Sequence, residues 1–191
     1  MEIDVLYHRL QTEPIWLFFD TSVIFKTSRF FNLCGLVNQL NEHRPSLPIK
    51  LCVSTVAHAE MLFHLAQKRQ DFNINIVNRE LAYRNIQIIS FSADDSALFA
   101  TTLGQRYPTV EAWHEYKRKQ CLNCLDLPKK CHDLAKGRGK RCGAPNDWLI
   151  VAHAKRDHTI LVMDDNEFRL FNHVAQLEPT RQAVQQILDE F

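Results

Sequence analysis

A chain of 191 residues, 46% hydrophobic and 24% charged, holds enough apolar side chain to bury a core and too much to stay disordered. Five Gly and seven Pro exclude a collagenous or linker-rich chain, and no apolar run approaches the roughly 18–20 residues that span a bilayer. The formal net charge of +1 conceals an asymmetry, because residues 115–142 carry nine Lys and Arg against three acids while the remainder is acidic. A basic segment on an acidic body suits a polyanion held at one place, although a solvated polar loop has the same composition.

The opening MEIDVLYHRLQTEP is acidic and broken before any apolar stretch. It predicts no secretory signal, so a cytoplasmic location is expected, with the six Cys as core thiols or metal ligands. Ile15-Trp16-Leu17-Phe18-Phe19 is a short continuous apolar run, the pattern of a strand buried on both faces. Asp20-Thr21-Ser22 can cap a following helix, whose apolar spacing shows at Phe30, Leu33, Leu36, Val37 and Leu40 and ends near Pro45 and Pro48. Leu51-Cys52-Val53 predicts a second strand, Ser54 or Thr55 a cap, and Ala59, Leu62, Phe63 and Ala66 a helix stripe. Residues 71–84 read as polar helix or connector, Ile86–Ile89 as a third strand, and Ser92-Ala93-Asp94-Asp95 as the start of a helix reaching Gly104.

Beyond Pro108 a helix to about Lys119 is expected, then the Cys-rich stretch, then a helix opened by Pro145-Asn146-Asp147. Residues 159–163 predict the fourth strand and 174–177 a fifth, and Pro179 suits the first turn of a terminal helix carrying Ala183, Val184, Ile187 and Leu188. Strands separated by helices predict an α/β fold, a parallel-stranded sheet sandwiched by helices. The expected organisation is one domain over 1–191, with a small Cys-rich insertion at 121–142.

Right-handed crossovers bring each strand's end and the next helix's start to one edge of such a sheet. Asp20 ends the first strand, Glu60 lies early in the helix after the second, Asp147 opens the helix before the fourth, and Asp164-Asp165 follow that strand. Any one of these acids is explained as a helix cap. Four at one edge are not, and Glu60 lies beyond the cap. Clustered carboxylates repel unless a cation neutralises them, and a small set of hard oxygen ligands suits Mg²⁺ or Mn²⁺.

The order Asp20-Thr21-Ser22, then Ser54–Glu60, then Asn146–Ala154, then Leu161–Phe168 resembles the PIN-domain nucleases over about residues 15–178, outside the Cys-rich insertion. The resemblance implies a PIN-like sheet and a metal-dependent endoribonuclease that leaves 5′-phosphate and 3′-hydroxyl ends, with DNA as a less frequent substrate. It implies catalytic and Mg²⁺- or Mn²⁺-binding roles for Asp20, Glu60, Asp147 and Asp165. Asp165 is preferred to Asp164 because it stands three residues before Phe168. Ser22 and Asn146 match polar positions that orient the carboxylates, and Asp164 is a supporting neighbour. Many small members are toxins held by an antitoxin, so an antitoxin partner is expected, an RNA-processing enzyme being the other form of this reading. Met163 stands where the family often has Thr or Ser.

Cys121, Cys124, Cys131 and Cys142, with His132 as an alternate to Cys131, offer a tetrahedral structural zinc site in a stretch with little apolar means of ordering itself. Lys136, Arg138, Lys140 and Arg141 beside them are candidates for phosphate contact. Cys34 and Cys52 fall on apolar faces and read as core thiols. His58, His64 and His153 read as structural or surface histidines, and Trp148 as packing. Trp113 and Tyr116 are left between packing and stacking on a base. Two alternatives compete with the ribonuclease: a zinc-stabilised nucleic-acid or protein-binding module with little catalysis, and a DNA nuclease in mobile-element defence. The oligomeric state stays open, a homodimer included.

Overall fold

The computed structural model describes residues 1–68, 72–112, 114, 144–164 and 171–191. Five strands form one parallel sheet: β1 (Ile15–Phe19), β2 (Ile49–Ser54), β3 (Ile86–Ile89), β4 (Thr159–Val162) and β5 (Val174–Ala175). Their spatial order is β3-β2-β1-β4-β5. The helices that lie wholly among the described residues are α1 (Ile3–Thr12), α2 (Thr21–Ile24), α3 (Thr27–His43), α4 (Thr55–Lys68), α5 (Ile74–Tyr83), α6 (Ala93–Arg106), α7 (Ala144–His153) and α8 (Leu177–Leu188), and residues 110–112 and 114 are helical as well. The expected α/β architecture, a parallel sheet between helices, is what the chain adopts. No helix among the described residues is long and apolar enough to cross a membrane.

Alternation along β1 explains why its sequence is apolar throughout. Ile15, Leu17 and Phe19 enter one core with α1, α3 and α8, while Phe18 enters a second core with Cys52, Leu161, Trp148 and Ile150. A strand with a core on each face has no solvent side on which to put polar residues. Trp148 is 2% exposed and meets Tyr107 and Phe171 edge-on, so its packing role holds. Cys34 and Cys52 are buried, and burial pushes each thiol up to about 12, which leaves them inert core thiols. Met163 is likewise buried, in the second core.

The local signals resolve in detail. Ser54, not Thr55, caps α4, its Oγ accepting from the Ala57 N–H at 3.0 Å, while Thr55 Oγ1 accepts from the Phe91 N–H. Ser92 and Asp95 form a reciprocal capping box at the start of α6. The stretch 71–84 contains a helix, α5, capped by Asn73. The fifth strand is only two residues long, because the chain enters α8 at Leu177. Two features depart from expectation. The N-terminal segment is helical and docks Leu6 and Leu10 into the first core, and a break at Phe25-Lys26 separates the short α2 from α3.

This topology fixes where a site can form. The chain walks from β1 to β2 and β3 in one direction, then returns to place β4 on the other side of β1. At such a reversal the connections leave β1 and β4 in opposite directions, opening a crevice at their carboxyl ends. Asp20 and Asp164 stand at those two ends.

Candidate metal centre

Asp20 follows the last residue of β1 and is the N-cap of α2, where its Oδ2 accepts from the Ser22 N–H at 2.8 Å. It is 3% exposed, and its Oδ1, fully buried, has no hydrogen-bond partner among the described residues. Burial pushes the Asp20 carboxyl above its ordinary range and the charge of Glu60 adds to this, while hydrogen bonds from Ser22 oppose both.

Glu60 reaches the same point from α4. The Ser54 cap starts that helix at the end of β2, and Glu60 lies within its second turn. Thr21 Oγ1 donates to Glu60 Oε2 at 2.7 Å and so ties α4 to α2. Asp147, half-buried in the first turn of α7, completes the group. One carboxylate oxygen from each of Asp20, Glu60 and Asp147 lies within 4.8 Å of the others. Three carboxylates at that spacing, one of them buried with an oxygen that no described residue bonds, form a centre whose mutual repulsion a divalent cation would relieve. Their oxygen-only donor set fits Mg²⁺ or Mn²⁺ rather than a thiolate-seeking metal.

Three of the four acids expected from the sequence therefore converge. The fourth, Asp165, lies outside the described residues, as do Cys121, Cys124, Cys131, Cys142, His132, Lys136, Arg138, Lys140, Arg141, Trp113 and Tyr116. Asp164 is bound into the frame: its carboxylate pairs with Lys26 and its Oδ1 accepts from the Leu177 N–H that opens α8. Ser22 serves both ends of the crevice, because its N–H holds Asp20 and its Oγ accepts from the Asp164 N–H at 3.3 Å. Asn146 is exposed and, among the described residues, makes no hydrogen bond to the three acids.

Thr21 is the residue that the sequence pattern did not single out. Asp-Thr-Ser reads as a capping triplet, and nothing in it says that the middle hydroxyl turns toward a helix almost forty residues on. Holding the rotamer of a ligand is worth about 10- to 100-fold in metal affinity. Thr21→Val, which keeps shape and burial, is therefore expected to weaken Mn²⁺ binding about tenfold by calorimetry and to lower stability by only about 1 kcal/mol. Unchanged Mn²⁺ affinity would dismiss the tie.

The histidines follow the bland expectation. His58 Nε2 pairs with Asn78 Oδ1 at 2.9 Å. His153 is fully buried at the end of α7, edge-on to Phe18 and Phe91, with Nε2 3.7 Å from Asp95 Oδ2. Burial pushes its imidazole below the usual range, opposed by Asp95 and helped by Arg156, so it is held neutral. His64 is half-buried with Nε2 4.0 Å from Glu60 Oε1, at the outer rim of the acidic centre.

No family profile and no curated protein sequence matches the chain. Among solved structures it is similar to VapBC2 from Rickettsia felis bound to a DNA fragment from their promoter. The likeness is at 16% identity and a TM-score of 0.42, over 85% of this chain and 97% of that one.

Proposed function

We propose that this chain is a metal-dependent nuclease of the PIN type, an endoribonuclease that leaves 5′-phosphate and 3′-hydroxyl ends. The observation that carries the reading is the convergence of Asp20, Glu60 and Asp147 around the buried Asp20 Oδ1, unpartnered among the described residues, at the carboxyl ends of β1 and β4. The ordered motifs that resemble PIN nucleases support the same choice. Asp20, Glu60 and Asp147 would hold Mg²⁺ or Mn²⁺, with Asp165 as the proposed fourth acid. Bound there, the ion would lower the pKa of a water nucleophile and stabilise charge on the phosphoryl group under attack. Ser22 keeps Asp20 oriented through its N–H, and Thr21 keeps Glu60 oriented through its hydroxyl. The phosphodiester would lie over the acidic centre, and the basic residues Lys136, Arg138, Lys140 and Arg141 are proposed to take neighbouring phosphates.

The test is cleavage of end-labelled single-stranded RNA and DNA of the same sequence by the purified protein in Mn²⁺, Mg²⁺ and chelator. Metal-dependent cuts in RNA, with ends that ligate as 5′-phosphates, are expected, and Asp147→Asn should reduce the rate at least a hundredfold. No metal-dependent cleavage of either strand would overturn the reading in favour of the binding-module alternative.

The proposal extends to two companions. An inhibitory, antitoxin-like protein is expected in the cell, so production of the nuclease alone should arrest growth, and undisturbed growth and RNA would reject that extension. One structural zinc per chain, held by Cys121, Cys124, Cys131 and Cys142, is the other. Elemental analysis of protein purified without chelator should find about one equivalent, and four freely titrating thiols without zinc would reject it.

A further inference from the structure

Beside the acidic centre the chain exposes aromatic surface that its own core does not use. Phe63, on α4, is 59% exposed, and Phe25, the residue that ends α2, is 38% exposed. Both rings meet the imidazole of His64: Phe25 edge-on with centroids 5.6 Å apart, Phe63 tilted at 5.7 Å. Lys68 places its ammonium 5.3 Å from the centre of the Phe25 ring. Glu60, His64 and Lys68 are spaced four apart on α4, so they line one face of that helix. A carboxylate of the acidic centre is thus followed outward by an imidazole 4.0 Å away, two open rings and a cation. The Phe25 ring is fixed in register with the centre, because the one short helix that it ends begins at Asp20.

Apolar rings left in water at this place need an occupant, and the groups around them select its chemistry. An aliphatic protein surface would satisfy the rings but gain nothing from Lys68 and His64 gathered at their edge. A nucleic-acid strand satisfies both, offering a flat π-face to each ring and phosphates to the cations between them. The base must be unpaired, since a base inside a duplex cannot stack on a side chain. We propose that Phe25, His64, Phe63 and Lys68 form a subsite that stacks an unpaired nucleobase of the RNA strand and contacts its phosphate, next to the bond over the acidic centre. This rests on the nuclease reading and adds to it a preference for single strands at that position. Phe25 and Phe63 supply the stacking surface, and Lys68 supplies backbone affinity without base preference.

The test compares binding of a fluorescent twelve-nucleotide oligoadenylate with that of an abasic ribose-phosphate strand of equal length, in Ca²⁺, by anisotropy. Wild-type protein should prefer the strand that carries bases. Stacking is worth about five- to 150-fold per base, so Phe63→Leu and Phe25→Leu, which keep apolar volume, should each cut that preference within this range. Lys68→Gln should instead weaken both strands alike and reduce the salt slope by about one. An unchanged preference in both ring variants overturns the subsite, and so does a ring variant that alters only the oligomeric state by sedimentation, which assigns the rings to a protein contact. The nuclease reading is judged separately, by Mn²⁺-dependent cleavage of the same oligoadenylate: cleavage with a flat ring response removes the subsite alone, and a ring-dependent preference without cleavage removes the catalytic reading alone.

Discussion

Asp20→Asn is expected to raise the melting temperature of the protein in chelator while abolishing both cleavage and stabilisation by Mn²⁺. Asp20 is almost wholly buried, one of its oxygens has no partner among the described residues, and Glu60 and Asp147 lie close by. Its charged form is therefore unfavourable without a cation, and burial and Glu60 raise the carboxyl accordingly. The sign follows from linkage: a group raised on folding contributes stability that is full below its unfolded value of about 3.9 and is lost as pH rises through its folded value. At neutral pH the metal-free protein carries that loss and Asn does not. Relief of such a site is worth about 1–2 kcal/mol, or roughly 2–8 °C for a chain of this size. The amide still accepts from the Ser22 N–H, so the cap of α2 survives. Mn²⁺ at a hundred times its dissociation constant should stabilise the wild type by about 2.7 kcal/mol and leave the variant unmoved. The gap between the two in chelator should close near pH 4. A variant less stable than wild type in chelator would make Asp20 a structural cap rather than a metal ligand, and an equal Mn²⁺ response would move the centre elsewhere.

How much of this centre the sequence discloses depends on whether a residue's role is local. The runs at 15–19, 51–53, 86–89 and 159–163 reveal four strands because a strand buried on both faces must be apolar throughout, and topology then carries Asp20, Glu60 and Asp147 to one edge. α1 is hidden because only Leu6 and Leu10 are fully buried in the core, with Tyr7 packed beside them, while Val5 is 52% exposed and Ile3 is 39% exposed, so the apolar spacing is blurred. The break between α2 and α3 is hidden because Phe25 looks like one more apolar residue of a helix stripe. Thr21 and Lys26 act across the fold, on Glu60 and Asp164, and their neighbours in sequence carry no trace of it. The motif order that resembles PIN nucleases marks Ser22 as an orienting residue, and its N–H donates to Asp20 Oδ2 in the fold.

Asp95 is the clearest case of a residue whose local role conceals a distant one, and it carries the second large expected effect. Ser92-x-x-Asp95 reads as a capping box, and it is one, with Asp95 Oδ2 accepting from the Ser92 N–H and Oγ at 2.7 Å. The same carboxylate is fully buried, and its Oδ1 accepts from Arg156 in the turn before β4, with His153 behind it. Burial pushes Asp95 up, but Arg156, Ser92 and His153 outweigh it and hold the carboxyl below its usual range. The contact joins the first turn of α6 to the chain that leaves α7, the helix that carries Asp147. Arg156→Met should therefore leave a buried charge held only by the Ser92 hydrogen bonds, with a neutral imidazole beside it. Breaking a fully buried pair costs about 3–5 kcal/mol. Because Arg156 is 38% exposed, water screens part of that, and about 2–3 kcal/mol is expected here, roughly 4–12 °C in melting temperature. The pH dependence separates this from lost packing. Asp95 is depressed on folding, so its contribution is present above about pH 4 and lost as pH falls through the folded value, and the difference between wild type and Arg156→Met should shrink over that range. His153 reports the change directly: Asp95 draws its titration up and Arg156 holds it down, so removing Arg156 should move the imidazole resonance to titrate at higher pH. Asp95→Asn with Arg156→Met together should cost less than the sum of the two changes made singly. A strictly additive double variant, with the His153 titration unmoved, would show that Arg156 lies on the surface of α6 without holding the charge beneath it.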